Sequence, residues 1–262
     1  MSIINNFATL LESIAKTPIE RALITGGFCF AFTIMGSIPI LLDRTSKNNL
    51  YTYGMGFSAG VMLAASFISL LLPSMEQGGL VPAVSGLLLG FVTIYFVNNL
   101  VPHEHLLKGY EGGEIFRRKL KTAWLIALAM IIHNIPEGFA VGALTYYSFV
   151  DGLLLAVAIG LQNIPEGMAV ALPFKAIGVG MVQAIKLVLI SAIIEPLAAL
   201  LAVVFSMIST GIIPYTLSFA AGAMIYVVSH EVIPETHSER REIKATIGLI
   251  IGVAVIAILD TI

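Results

Sequence analysis

The chain has 262 residues, of which 58% are hydrophobic and only 11% are charged. A typical soluble domain carries roughly 25% charged residues, so these side chains cannot cover a soluble globule of this size. The composition therefore excludes an ordinary soluble enzyme, a disordered chain and a nucleic-acid-binding protein, and it indicates an integral membrane protein. The net charge of −2 points to no charged partner, and the single cysteine excludes a disulfide framework and a thiolate metal cluster.

Apolar residues between Phe7 and Ile14 recur at helical spacing, which predicts a short surface helix within residues 1–20. Eight continuous apolar runs follow, and each is long enough for a transmembrane helix. They cover Ala22–Leu42, Tyr51–Leu72, Leu80–Leu100, Ala123–Tyr146, Gly152–Leu172, Val179–Phe205, Ile213–Pro234 and Ile243–Leu259. The sequence therefore predicts one all-α transmembrane domain over residues 1–262, with eight membrane-spanning helices.

Basic residues crowd alternate loops, with 12 on one set of loops and 2 on the other. Because cytoplasmic loops carry the excess of lysine and arginine, both termini are predicted to lie outside. The longest connection, residues 101–121, is then a cytoplasmic loop. His103 and His105 lie in it and could form a weak metal-collecting site, although a solvated polar loop is the favoured interpretation.

A polar motif occurs twice, in the fourth and fifth apolar runs. Residues 133–138 read His-Asn-Ile-Pro-Glu-Gly, and residues 162–167 read Gln-Asn-Ile-Pro-Glu-Gly. A charge inside a membrane helix costs about 3 kcal/mol on insertion scales. Two such groups of polar residues at matching positions therefore indicate a function.

The spacing of the two motifs predicts that they meet. Within each motif the first residue and the glutamate are four apart, so they share a helix face. The midpoint between residues 133 and 166 coincides with the midpoint between residues 137 and 162, close to the turn predicted near Ser148–Asp151. In an antiparallel hairpin both motifs then lie at one depth, roughly mid-membrane. Each proline also frees a backbone carbonyl beside the motif, which is tolerated at this depth where it lines an ion site.

The two motifs offer one imidazole, two carboxylates and three carboxamides. This nitrogen and oxygen set suits a divalent first-row metal such as zinc, iron or manganese, and two glutamates could bridge two ions. Hydrogen bonding between membrane helices is the alternative for a single amide, but it explains six polar residues poorly. The candidate ligands are His133, Asn134, Glu137, Gln162, Asn163 and Glu166.

A third carboxylate, Glu195, lies deep in the sixth run. It is either a further metal ligand or a protonated buried acid capped by a neighbour such as Ser191. His230 and Glu231 lie near the predicted cytoplasmic end of the seventh run, where they form either an exit relay or a polar helix end.

The second run is rich in small residues, which permit close packing or sliding between helices. Met62 and Ser69 could line a pathway there, although methionine at helical spacing more often packs in a core.

The paired motifs resemble those of the ZIP (Zrt-, Irt-like) family of divalent metal transporters, and Gln162 resembles the GufA-type prokaryotic branch. The resemblance implies a two-metal site between spans four, five and six. One metal would be held by His133, Glu137, Gln162 and Glu166. The second would be held by Asn134, Glu137, Asn163, Glu166 and Glu195. Some members carry aspartate in place of Asn163, so the second site is less negative here.

The same resemblance places His230 and Glu231 on a release route. It also implies a 3+2+3 inverted repeat, a bundle of spans one, four, five and six that moves against the other spans, and often a homodimer.

The predicted function is therefore transport of zinc or a similar divalent ion (Fe²⁺, Mn²⁺ or Cd²⁺) into the cytoplasm across the cell membrane. The ion is the substrate, no cofactor is expected, and the other partner is the lipid bilayer. One alternative is an intramembrane metal-dependent hydrolase, although the chain lacks a His-Glu-x-x-His motif. Another is a passive metal channel.

Overall fold

The computed structural model describes residues 10–38, 49–100, 114–176, 178–236 and 242–261. Over these ranges the chain is helical and contains no strand, which confirms the all-α prediction. The helices are α1 (Pro18–Met35), α2 (Asn49–Ala64), α3 (Leu72–Gly78), α4 (Leu80–Leu100), α5 (Glu114–Tyr147), α6 (Phe149–Ala176), α7 (Met181–Ala192), α8 (Ile194–Ile208), α9 (Ile213–Val227), α10 (Ile233–Thr236) and α11 (Glu242–Leu259). The π-helical segments π1 (Ala65–Leu71) and π2 (Val228–Val232) join α2 to α3 and α9 to α10.

Six stretches of the described chain are long and apolar enough to cross a membrane. They are Pro18–Met35, Thr52–Gly78, Leu80–Asn99, Phe149–Leu172, Met181–Ile208 and Glu242–Leu259. Their outer faces carry large exposed apolar side chains, such as Leu88 and Phe96 on α4, each 55% exposed. Such faces are expected where a helix contacts lipid.

The start of α1 is fixed by a reciprocal cap. The Thr17 hydroxyl accepts a hydrogen bond from the Glu20 backbone N–H at 3.2 Å, and the Glu20 carboxylate accepts one from the Thr17 N–H at 2.9 Å. Pro18 follows at the first helical position, where its missing N–H costs nothing. A separate helical turn over residues 10–14 precedes this cap, and residues 1–9 of the predicted surface helix lie outside the described residues.

Two boundaries differ from the sequence prediction. Helix α1 ends at Met35, where Gly36 is its C-cap residue and lies against the backbone of Gly167; residues 39–42 of the predicted span lie outside the described residues. Helix α5 begins at Glu114, so residues 114–121 of the predicted loop are helical. Hydropathy cannot separate a charged helical extension from a loop, because both lie outside the apolar run.

Helices α1, α5, α6, α7 and α8 form one group, called here the bundle. Glycines allow its backbones to approach closely: a Cβ added to Gly138 or Gly142 of α5 would lie 2.7 or 2.6 Å from the Cα of Glu195 or Ala199 in α8. The only cysteine, Cys29 on α1, is buried in this bundle, with its Sγ 3.6 Å from the Ala156 carbonyl oxygen of α6.

The remaining long helices form two pairs. Helix α11 packs along α2 and helix α9 packs along α4. In the first pair, Gly56 and Gly60 of α2 face backbone atoms of α11, and Gly248 and Gly252 of α11 face those of α2. This reciprocal spacing of four residues is the close-packing motif of membrane helices.

The bundle and the two pairs meet along a seam, where α6 faces α2 and α5 faces α9. On one side of the seam, Gly54 of α2 lies against the Pro165 ring of α6. On the other, an apolar cavity of about 430 Å³ separates α4 and α9 from α5 and α8, and Pro136 lines it. The seam is thus closely packed at Gly54, and an apolar cavity lies beside it at Pro136.

Candidate metal-binding site

The two motif segments lie inside the bundle, on continuous helices. Pro136 lies within α5 and Pro165 within α6, and the two helices are joined by a tight turn at Ser148. Each proline leaves the carbonyl four residues earlier without its helical donor. The six polar side chains of the two motifs are all buried.

Three of the predicted ligands come together there. His133, Glu137 and Glu166 each offer a ligand atom, and these atoms all lie within 4.8 Å of one another. The three side chains, called here the ligand cluster, are 1%, 0% and 2% exposed. One imidazole nitrogen and two carboxylates at such distances can surround a single divalent ion.

Gln162 borders the ligand cluster through its amide nitrogen. Its Nε2 donates to Glu137 and lies 3.4 Å from the Glu166 Oε1 and the Asn163 Oδ1. Its Oε1 is buried and has no hydrogen-bond partner. The amide therefore orients Glu137 and leaves an oxygen free for a ligand role.

Asn134 and Glu195 take different partners from those considered in the sequence. The Asn134 amide donates to the Ser191 carbonyl at 2.9 Å and lies 3.0 Å from its hydroxyl. The Glu195 carboxylate instead accepts from the Thr33 hydroxyl at 2.6 Å. Ser191 thus contacts Asn134, and the capping of Glu195 comes from α1. Glu195 is fully buried but lies outside the three-residue ligand cluster.

Buried polar atoms without a hydrogen-bond partner are concentrated around the ligand cluster. They include both ring nitrogens of His133 and one oxygen each of Glu137, Gln162, Glu166 and Glu195. Leaving such an atom unpaired costs about 1–3 kcal/mol, so a concentration of them requires an explanation. A cation would satisfy the free carboxylate oxygens of the ligand cluster and one ring nitrogen of His133, whose other ring nitrogen carries a hydrogen in the neutral form.

The two residues predicted to form a release route lie in different surroundings. Glu231 on π2 lies across the seam from His133, with 3.8 Å between its Oε2 and the His133 Nδ1. His230 is exposed, and its ring stacks on Tyr226 at a centroid distance of 5.1 Å. Neighbouring helical residues point about 100° apart, so one of the two faces the ligand cluster and the other does not.

The predicted pathway residues of the second span also separate. Met62 is fully buried, whereas Ser69 is partly exposed and lines a cavity of about 160 Å³. Asp151 and Asp260 line the same cavity, which gives it a negative rim. His103 and His105 lie outside the described residues.

Two hydroxyls at the site, those of Ser58 and Thr33, are not among the predicted site residues. The Ser58 side chain of α2 donates to Glu166 Oε1, and the Thr33 side chain of α1 donates to Glu195. Small polar residues recur through both helices, and no spacing rule marks these two, because their contacts depend on how separate helices align.

Comparison with known proteins identifies the family. Residues 102–260 match the family model described as ZIP Zinc transporter. The chain belongs to the ZIP family. It is 38% identical to Zinc transporter GufA of Myxococcus xanthus, over 87% of this chain and 93% of that protein. It is 40% identical to Zinc transporter ZIPB of Bordetella bronchiseptica, over 94% of this chain and 82% of that protein.

A further ZIP relative is Zinc transporter ZupT of Corynebacterium glutamicum, which is 35% identical over 88% of this chain and 97% of that protein. These relatives confirm the predicted family and its GufA-like branch. Together with the long apolar helices they make the chain a multi-pass membrane protein.

Proposed function

We propose that this ZIP protein carries Zn²⁺, or a similar divalent ion, across the cell membrane into the cytoplasm. The observation that carries the proposal is the ligand cluster: three buried side chains whose ligand atoms lie within 4.8 Å of one another. The relatives GufA, ZIPB and ZupT are named as zinc transporters, which supports zinc as the ion. The ion is the substrate, and no resident cofactor is proposed.

His133, Glu137, Gln162 and Glu166 hold the first ion in this proposal. A second ion would share the two glutamates and take ligands from Asn134, Asn163 and Glu195. Asn163 supplies a neutral amide, so this second position is less negative than one with a third carboxylate close by. We therefore expect the second ion to bind more weakly than the first.

The proposed membrane topology has eight spans, formed by α1, α2–π1–α3, α4, α5, α6, α7–α8, α9–π2–α10 and α11 in chain order, with both termini outside. In the proposed inverted 3+2+3 repeat, span one is equivalent to span six, two to seven, three to eight, and four to five. Helix packing supports it: span two packs on span eight and span seven on span three, while span one packs on span five and span six on span four. The two π-helical segments also lie in equivalent spans, π1 in span two and π2 in span seven.

In the proposed cycle the bundle moves against the two helix pairs. The ligand cluster lies in the bundle, so the ion travels with the moving part. The backbone-to-backbone glycine contacts lie within the bundle and within each pair, which supports their movement as units. Glu231, next to His133 but on the other side of the seam, is placed to take the ion on its way to the cytoplasm.

The test is zinc flux in proteoliposomes. The wild-type protein should take up Zn²⁺, and Glu137→Ala or Glu166→Ala should abolish uptake because each removes a carboxylate from the ligand cluster. The matched control is Ser206→Ala: Ser206 is buried but donates to the Ala202 carbonyl of its own helix, so its loss should leave uptake unchanged.

Flux that persists in Glu137→Ala would contradict the proposal. Turnover of a peptide or phosphate substrate by the purified protein would instead favour the hydrolase alternative. Zinc flux that does not saturate would favour the channel.

A homodimer is also proposed, and the mass of the protein in lipid nanodiscs tests it.

A further inference from the structure

Ser58 directs its hydroxyl to a carboxylate side chain, whereas three comparable buried serines bond to the backbone of their own helix. Ser66, Ser206 and Ser218 each donate to the carbonyl four residues earlier in their own helix, at 2.7, 2.9 and 2.8 Å. This local bond is the usual arrangement for serine within a helix. The Ser58 hydroxyl instead donates to the Glu166 carboxylate of another helix.

The contact joins the two sides of the seam. Ser58 is fully buried on α2, which belongs to the pair α2–α11, whereas Glu166 lies on α6 in the bundle. The hydrogen bond ends on Oε1 of Glu166, which also lies 3.4 Å from Gln162 Nε2 and 3.9 Å from His133 Nε2. The second oxygen, Oε2, has no hydrogen-bond partner. One oxygen is therefore held by the protein, and the other remains for an ion.

We propose that Ser58 is a positioning residue for metal binding: its hydroxyl holds the Glu166 carboxylate from across the seam and so raises the affinity of the ligand cluster for a divalent ion. The inference rests on the proposed function and deepens it. A serine hydroxyl suits this role because it is a neutral donor, which orients a carboxylate without repelling the incoming cation. Groups that orient metal ligands in this way typically affect affinity by about 10- to 100-fold.

The position of Ser58 makes this support specific to one conformation. The hydrogen bond requires that α2 and α6 keep their present alignment, and movement of the bundle along the seam would separate Ser58 from Glu166. The ligand cluster would then bind the ion more strongly in the present alignment than in one where α2 and α6 have shifted.

The experiment compares zinc affinity and transport in Ser58 variants of the full-length protein in lipid nanodiscs and proteoliposomes. Ser58→Ala removes the hydroxyl and should weaken zinc affinity and raise KM by about tenfold, with little change in the maximal rate. The side chains introduced by Ser58→Thr and Ser58→Val have the same shape, but only threonine keeps the hydroxyl. Threonine should restore wild-type affinity, and valine should behave like alanine. Ser66→Ala, a buried serine two turns along the same span, is the control and should match the wild type.

Equal loss of affinity in Ser58→Thr and Ser58→Val would overturn the proposal, since it would assign the effect to packing. An unchanged KM in Ser58→Ala would overturn it as well. If Ser58→Ala does not fold, the threonine and valine pair decides alone. If the wild-type protein neither binds nor transports zinc, the proposed function is wrong. That outcome is distinct from one in which the wild type transports zinc and the Ser58 variants match it, which contradicts only the role of Ser58.

Discussion

The bundle and the two helix pairs are packed alike but carry different groups. Both use glycines to bring backbones together, as Gly142 does in the bundle and Gly60 does in the pair α2–α11. Among the described residues, however, the fully buried carboxylates are Glu137, Glu166 and Glu195, and all three lie in the bundle. Close packing therefore builds both parts, but the fully buried carboxylates of the described residues lie in the bundle.

The hydrogen bonds of the two parts differ in the same way. In the pairs, buried hydroxyls such as Ser74 and Ser218 donate to backbone carbonyls of neighbouring helices or of their own. In the bundle, buried side chains also donate to carboxylates, as Thr33 does to Glu195 and Gln162 to Glu137. A backbone contact holds a helix in place, whereas a network of side chains can rearrange when an ion enters.

The largest effect is expected from two neighbouring glycines of α1. A Cβ added to Gly26 would lie 2.7 Å from the Cα of Pro196, whereas one added to Gly27 meets no atom within 4 Å. Gly26→Ala should therefore separate α1 from α8 and destabilise the protein by about 1–3 kcal/mol. Gly27→Ala should be neutral or stabilise it by up to about 1 kcal/mol. Thermal unfolding of the two variants in nanodiscs measures the difference.

Equal stability of the Gly26 and Gly27 variants would mean that the close backbone contact does not hold the bundle together. The description of the bundle as a unit held together by glycine contacts would then fail.

The next effect concerns the metal preference of the bundle. Gln162→His replaces an amide by an imidazole, which is a stronger ligand for zinc and similar metals. We expect zinc affinity to rise by about tenfold, or about 1.4 kcal/mol, or the order of preference among metals to change. Uptake competition among Zn²⁺, Fe²⁺, Mn²⁺ and Cd²⁺ measures both. An unchanged competition profile would show that residue 162 does not contribute to the choice of ion.

The smallest effect is expected from Glu231, which faces the ligand cluster from the other side of the seam. Glu231→Gln removes the charge that faces His133 across the seam. Because Glu231 is partly exposed and lies 3.8 Å from His133, we expect only a roughly two- to fivefold fall in the uptake rate, which corresponds to about 0.5–1 kcal/mol. His230→Ala is the matched control, since that ring stacks on Tyr226 instead. Equal effects of the two substitutions would show that the contact with His133 has no special role.

The sequence alone was sufficient to predict the ligand cluster. Its geometry follows from two local facts, the spacing of four residues within each motif and the symmetric placement of the motifs about one turn. Neither depends on the rest of the fold. For this reason the sequence predicts that the two motifs meet, and the structure brings His133, Glu137 and Glu166 together.

Contacts between helices far apart in sequence could not be predicted in this way. Ser58 is one of several small residues on α2, and only its alignment with α6 brings it to Glu166. The break between α7 and α8, by contrast, has a local cause in the sequence. Pro196 has no N–H to donate to the carbonyl of Ala192, and α7 ends at Ala192 before α8 begins at Ile194.

The burial of Cys29 leaves the protein without an accessible native thiol. Reagents that modify surface thiols should therefore leave the natural sequence untouched. Spectroscopic probes or cross-linkers attached to cysteines introduced on opposite sides of the seam would then report on those positions alone. The amplitude of the bundle's displacement during turnover is thus measurable in a protein that needs no prior removal of its own cysteine.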